Sequence, residues 1–317
     1  MTDPDILEQI AGRLGQANMA RRLALEKRHE DEISRSRLHF LHRDNWFAHP
    51  HVIKAALILT GLYWRGRRNA GDVILRRNVI AFPGLPPAFH GFTILHLSDL
   101  HVDASGSALQ RVLQLVDDLH YDICCLTGDY RAATTGSCEP ALHLMENLIA
   151  HVKQPLFAVP GNHDSLMMIH GLEKLGIRML LNESVAVQRS EDRIFLAGID
   201  DPHFFRTGDI TRAAARIPAG EFSLLLSHTP EVYELAERAG FELMLSGHTH
   251  GGQICLPGSI PVILDAELPH GFGAGAWRHG AMHGYTSTGA GTSIVPVRFN
   301  CPPEITLHEL QRASAAP

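Results

Sequence analysis

The chain has 317 residues, 45% of them hydrophobic and 20% charged, with a net charge of −6. That is room for one large domain plus an extension, in an ordinary globular composition, and the acidic balance argues against nucleic acid as a partner. Cys124, Cys125, Cys138, Cys255 and Cys301 make an odd count without a C-x-x-C pair, which argues against a secreted disulfide scaffold and for a reducing, cytoplasmic setting.

No signal peptide is expected, because the chain is charged from Asp3 onward and lacks an early apolar core. Residues 4–35 predict helix: Ile6, Leu7, Ile10, Leu14, Leu23 and Leu25 keep a helical stripe, with charges on the other face. Residues 38–47 mix aromatics with basic residues, and His39, His42, His49 and His51 cluster here with no carboxylate or cysteine at metal-ligand spacing beside them. Residues 52–64 are the most apolar early segment, followed by Arg65, Arg67 and Arg68. This segment is too short to span a bilayer. Its composition suits peripheral contact with the inner membrane, and equally a helix packed on the main domain. The expected organisation is a helical N-terminal extension over 1–80 and a main domain over 81–312.

Pro83-Gly84-Leu85-Pro86-Pro87 reads as a linker or edge turn. From Phe92 onward, short apolar strands alternate with amphipathic helices. Strands are predicted at 93–97, 123–127, 156–159, 184–187, 194–197, 222–226 and 243–245. Helices are predicted at 107–119, 140–150, 166–175 and 231–239, and residues 285–310 read as further strands. Strand–helix alternation followed by β-rich sequence predicts a layered α/β sandwich.

Five predicted strands end in metal-type side chains. These are Asp99-Leu100-His101, Gly128-Asp129, Gly161-Asn162-His163-Asp164, Ser227-His228 and Gly247-His248-Thr249-His250. In an open α/β sheet, ligands bind at the carboxyl ends of the strands, so the five clusters can share one rim. Each alone has a bland explanation, such as a capped turn or a satisfied core histidine. Five in succession, each directly after an apolar strand, point to one site. Carboxylate, amide and imidazole donors without thiolate suit Mn, Fe, Zn and similar divalent ions. So many donors exceed one tetrahedral site and fit two ions sharing a carboxylate. The glycine-rich, aromatic-bearing stretch 256–284, with Phe272 and Trp277, is a candidate specificity loop at the rim.

These blocks, in this order over roughly residues 92–310, resemble the five-block signature of the calcineurin-like metallophosphoesterases. The tail, with Gly291-Thr292-Ser293, Val297-Arg298-Phe299 and Cys301-Pro302-Pro303-Glu304, is similar to a bacterial branch whose members are often membrane- or envelope-associated. The resemblance implies a four-layer α/β/β/α sandwich and a metal-dependent phosphoesterase acting on phosphate monoesters, diesters or pyrophosphates through water activated between two ions. It implies that Asp99, His101 and His250 hold one metal, that Asn162, His228 and His248 hold the other, and that Asp129 bridges them. It also implies that His163 lies over the substrate phosphate, oriented by Asp164. The run Asp129-Tyr130-Arg131-Ala132 departs from the acidic or amide residue common in the family there, and offers Arg131 as a phosphate clamp or as a surface residue. The substrate is expected to be a phosphoester, lipid- or nucleotide-linked. One narrower alternative is the pyrophosphate of UDP-2,3-diacylglucosamine. A rival of another class is a metal-binding scaffold without turnover.

Overall fold

A computed structural model describes residues 4–36 and 50–313. His39, His42 and His49 and the side chain of His51 lie outside the described part, and with them most of the basic-aromatic stretch. The chain opens with α1 (Pro4–Leu14), α2 (Gln16–Ser36), α3 (Pro50–Leu59) and α4 (Tyr63–Gly71), and then β1 (Ile74–Phe82), β2 (Phe92–Leu97), α5 (Gly106–Asp117), β3 (Ile123–Thr127) and α6 (Glu139–His151). There follow β4 (Leu156–Val159), α7 (Leu166–Lys174), β5 (Arg178–Met179), β6 (Glu183–Arg189), β7 (Asp192–Gly198), α8 (Ile210–Ala214) and β8 (Ser223–Leu226). The last elements are α9 (Tyr233–Arg238), β9 (Leu243–Ser246), β10 (Cys255–Leu256), β11 (Ile260–Pro261), β12 (Gly275–His279), β13 (Met282–Thr286) and β14 (Glu304–Arg312).

Two six-stranded sheets form, ordered β1-β14-β2-β3-β4-β5 and β12-β13-β9-β8-β7-β6. Side chains alternate across each strand, so each sheet has an inner and an outer apolar face. Leu95, Leu97, Cys124, Leu126 and Ala158 face outward and bury helices α1, α2 and α5–α7. Ile94, Ile123, Cys125, Phe157 and Val159 face inward, against Leu196, Leu224, Leu226, Leu243 and Leu245 of the second sheet. Ala197, Leu225 and Met244 cover the far side with α8, α9 and Trp277. The outcome is the expected α/β/β/α sandwich with helices at its N-terminal end.

The N-terminal region differs from expectation in three ways. A helix break falls at Gly15 (φ 90°) and another at Gly61 (φ 71°). The 80/81 division falls inside β1, which pairs in parallel with β14 along its whole length. Arg76, Arg77 and Asn78 hide the strand period in the sequence, because an edge strand keeps polar side chains on its open side. Finally, α1 and α2 are built into the helical layer. Ile10, Leu14 and Met19 join the outer core. The Arg22 guanidinium, fully buried, pairs with Asp200 and also donates to the Asp164 carbonyl. Among the described residues, no helix is long and apolar enough to cross a membrane.

Candidate functional site

β2, β3 and β4 run parallel, as do β7, β8 and β9, so the loops after β2, β3, β4, β8 and β9 open on one edge of the sandwich. All seven candidate ligands meet there. Asp99, His101 and His250 form one group, and Asp129, His228 and His248 a second; within each, the ligand atoms lie within 4.8 Å of one another. Asp129 faces both: its Oδ2 is 3.7 Å from His101 Nε2, and its Oδ1 is 3.4 Å from His228 Nε2. Asn162 Oδ1 lies 2.9 Å from His228 Nε2. His250 Nε2 is 3.5 Å from Asp99 Oδ1 and 3.3 Å from His101 Nε2.

The backbone is bent to make this possible. Asp99, His101, Asp129, His248 and His250 all have positive φ, between 38° and 71°. For a residue with a Cβ this conformation costs roughly 1–2 kcal/mol, and such strain concentrates at functional sites. Gly247 has no alternative at its position, since a Cβ there would strike Ser98 Oγ and Asp99 Oδ2. Gly161 likewise leaves room for the Asp129 carboxylate and His228. Cross-ties lock the loops together: His101 N–H donates to the Asp129 carbonyl, and His248 N–H donates to the Asp99 carboxylate.

Second partners settle the imidazole protons. His101 Nδ1–H donates to the Arg131 carbonyl (2.8 Å) and His228 Nδ1–H to the Thr127 carbonyl (2.7 Å). Each Nε2 lone pair therefore points into the cluster, the usual arrangement of a metal-binding histidine. Lone pairs of His228 Nε2, Asn162 Oδ1 and Asp129 Oδ1 then face one another, an arrangement only a cation makes favourable. Burial disfavours a proton on His228, yet Asp129 and Asp99 push its pKa up to about 10. Burial holds His101 down to about 4 and His248 down to about 3, which keeps both imidazoles neutral and able to ligate. Asp129 stays ionised against its burial, because His163 and His228 hold its pKa well below the usual range. This donor set fits divalent cations.

Three expectations are corrected. Arg131 is buried, and its Nε, Nη1 and Nη2 donate to the carbonyls of His163, Gly136 and Thr134. It braces a loop, with all three guanidinium nitrogens engaged by backbone carbonyls. Asp164 does not orient the His163 ring. Its carboxylate accepts the N–H groups of Asp129, Tyr130 and Gly161, while His163 Nδ1–H donates to the Ala132 carbonyl at 2.7 Å. Backbone donors in the bent loops outcompete the ring because they sit inside the turn that Asp164 closes. His163 Nε2 is left 3.8 Å from Asp129 Oδ2, at the open side of the cluster. The stretch 256–284 is also not a single rim loop: Trp277 is buried, stacked on Phe272 at 4.5 Å in the outer layer of the second sheet.

The sequence reading gave no role to His203 or to Arg298. The ring of His203 lies 4.3 Å from that of His248, and its Nδ1 is 2.7 Å from Glu231 Oε2. The hydrogen bond to Glu231 raises the pKa of His203, and despite burial its partner Glu231 is lowered to about 2. The signal was present: Asp200-Asp201-Pro202-His203 follows β7 as the other clusters follow their strands. Buried Arg298 reaches the His250 ring nitrogen and the carbonyls of Thr288 and Gly291.

A family model described as calcineurin-like phosphoesterase matches residues 92–252. The chain is 29% identical over 266 residues to the uncharacterized metallophosphoesterase YkoQ of Bacillus subtilis, covering 81% of this chain and 97% of that protein. It is 30% identical over 235 residues to the phosphodiesterase YaeI of Escherichia coli, covering 69% and 82%. It is 31% identical over 252 residues to a transmembrane protein with metallophosphoesterase domain of Danio rerio, covering 72% of this chain but 55% of that protein.

Proposed function

The chain belongs to the calcineurin-like phosphoesterases and is a metal-dependent phosphoester hydrolase, and we propose that it works with two divalent ions sharing Asp129. The observation that carries this is the pair of ligand groups facing opposite oxygens of one carboxylate, His101 toward Oδ2 and His228 toward Oδ1. Asp99, His101 and His250 would hold one ion, and Asn162, His228 and His248 the other. Together the ions would supply Lewis acidity and lower the pKa of a water between them toward neutrality. The oxygen and nitrogen donors suit Mn, Fe or Zn.

The protein's own part is to orient, and to hand over a proton. The Ala132 carbonyl fixes the His163 ring by its Nδ1–H, so Nε2 is the atom turned toward the open side, where a leaving oxygen would take a proton. Asp164 and Arg131 hold the turns that carry Asp129 and His163. No serine or cysteine nucleophile is required. A scaffold without turnover is disfavoured because every candidate ligand and His163 are present together.

The decisive experiment measures hydrolysis of bis(p-nitrophenyl) phosphate after chelation and after re-addition of Mn, Zn or Fe, with metal content by elemental analysis. Activity that follows about two equivalents of metal supports the reading. Activity that survives complete metal removal overturns it. The narrower reading, hydrolysis of the UDP-2,3-diacylglucosamine pyrophosphate, finds support only in the exposed apolar surface beside α3; release of UMP from that lipid in detergent tests it.

A further inference from the structure

Two apolar edges leave the protein beside the His250 turn. The first is where α3 gives way to α4: Ile58, Leu59, Leu62 and Trp64 are exposed, Leu59 at 87% and Trp64 at 72%. The second is the β10–β11 hairpin, where Leu256, Ile260, Val262 and Ile263 are each more than half exposed. Ile294 stands out as well, 68% exposed and at a φ of 59°, which β-branched residues rarely adopt.

Both edges rise from one base. Ile53 and Leu57 of α3 and Tyr63 of α4 pack with Ile254, Val295, Val297 and Phe299 in a small separate core. Cys255 N–H donates to the Phe299 carbonyl at 2.9 Å, and Val262 N–H to the Ile254 carbonyl at 3.1 Å, so the hairpin grows from the same core. That base is joined to the metal cluster by Arg298. Its N–H donates to Gly66 of α4, Asn69 of α4 donates to its carbonyl, and its guanidinium contacts His250.

Charge selects the occupant. From Pro50 to Gly71 there is no acidic residue, while Lys54, Arg65, Arg67 and Arg68 are all exposed. Residues 254–264 carry no charge at all. On a chain of net charge −6 this strip reverses the local sign. Exposed aliphatic side chains with a tryptophan and a fringe of arginines match the acyl–headgroup boundary of an anionic bilayer: the aliphatics enter, and the cations meet lipid phosphates.

We propose that the α3–α4 junction, the β10–β11 hairpin and Ile294 form one docking face for an anionic bilayer, which presents the metal cluster to phosphodiester or pyrophosphate groups carried on membrane lipids. The substrate half of this rests on the phosphoesterase reading above; the docking half does not. The full chain is mixed with vesicles of phosphatidylglycerol and phosphatidylcholine, or of phosphatidylcholine alone, and sedimented. Binding is expected only with the anionic vesicles. Neutralising Arg65, Arg67 and Arg68 to Gln together should weaken it on the order of 10²-fold, at about fivefold per cation. Leu59→Asp and Ile260→Asp should each weaken binding at least tenfold while leaving turnover of the soluble diester unchanged. The Asp129→Asn protein should bind vesicles like the wild type, so loss of catalysis and loss of docking are read separately. Absence of vesicle binding by the wild type overturns the proposal. So does full binding by Ile260→Asp, which would leave the helical edge acting alone, and so does a concentration-dependent dimer that Leu59→Asp abolishes.

Discussion

The two sheets contribute to the cluster in different currencies of charge. The first delivers Asp99, Asp129 and Asn162, every oxygen donor of the set, with His101 and His163 beside them. The second delivers imidazoles only: His228, His248 and His250, with His203 behind them. Two of the ligand groups draw on both rims: His250 joins Asp99 and His101, and Asp129 joins His228 and His248. A functional centre therefore exists only when the two sheets are stacked with these loops in register, and the β3–β8 stacking that gives His228 Nδ1–H its Thr127 carbonyl is part of that register.

The sharpest way to break this complementarity is at the shared carboxylate. Asp129→Asn removes the charge that both groups face, and is expected to lower metal content at both positions and hydrolysis by on the order of 10³-fold. Elemental analysis beside kinetics checks it, with His250→Ala as the control that empties mainly one position. Next is His163, on the oxygen rim but proposed not to ligate. His163→Ala should keep its metals and lose turnover by roughly 10²–10⁴. The loss should be greater for a poor leaving group than for a nitrophenyl ester, and metal loss in this variant would instead make His163 a ligand.

A third substitution tests whether the N-terminal helices belong to one rim or merely lie near it. Arg22 of α2 pairs with Asp200 after β7 and donates to Asp164 after β4, so it joins loops of both sheets. Removing one partner of a buried pair typically costs about 3–5 kcal/mol, so Arg22→Met should lower the unfolding free energy measured by urea denaturation by that much. The smallest effect concerns the inner faces, where the first sheet buries His96 against His308. Burial lowers the His96 pKa from 6.5 to about 3, and burial with His96 nearby lowers that of His308. The unfolded chain takes up these protons first as pH falls. Their stabilisation is complete above about pH 6.5 and is lost toward the folded value. For His96 this amounts to about 2 kcal/mol between pH 7 and 5, measurable in metal-free protein as a midpoint shift that His96→Asn reduces.

Much of this was legible in the sequence because it is local. The strands at 123–127 and 156–159 appear at their expected bounds, and the side chains following five strands meet at one edge. What stayed hidden is carried by distant pairings or by backbone. β1 lacks a clear period because it is an edge strand, and its partner lies some 230 residues away. Asp164 is expected to orient the His163 ring, but a sequence does not display the three N–H groups that claim it. Arg131 looks free for phosphate until the loop it braces is folded. Arg22 sits in a stripe of charges that reads as solvent-facing, although Asp200 waits for it.

β14 does not lie at the margin of its sheet; it is inserted between β1 and β2. On the ribosome, every candidate ligand from Asp99 to His250 is made before the strand that completes the sheet beneath them. The sheet beneath the first half of the rim is therefore complete only once residues as late as 312 are in place.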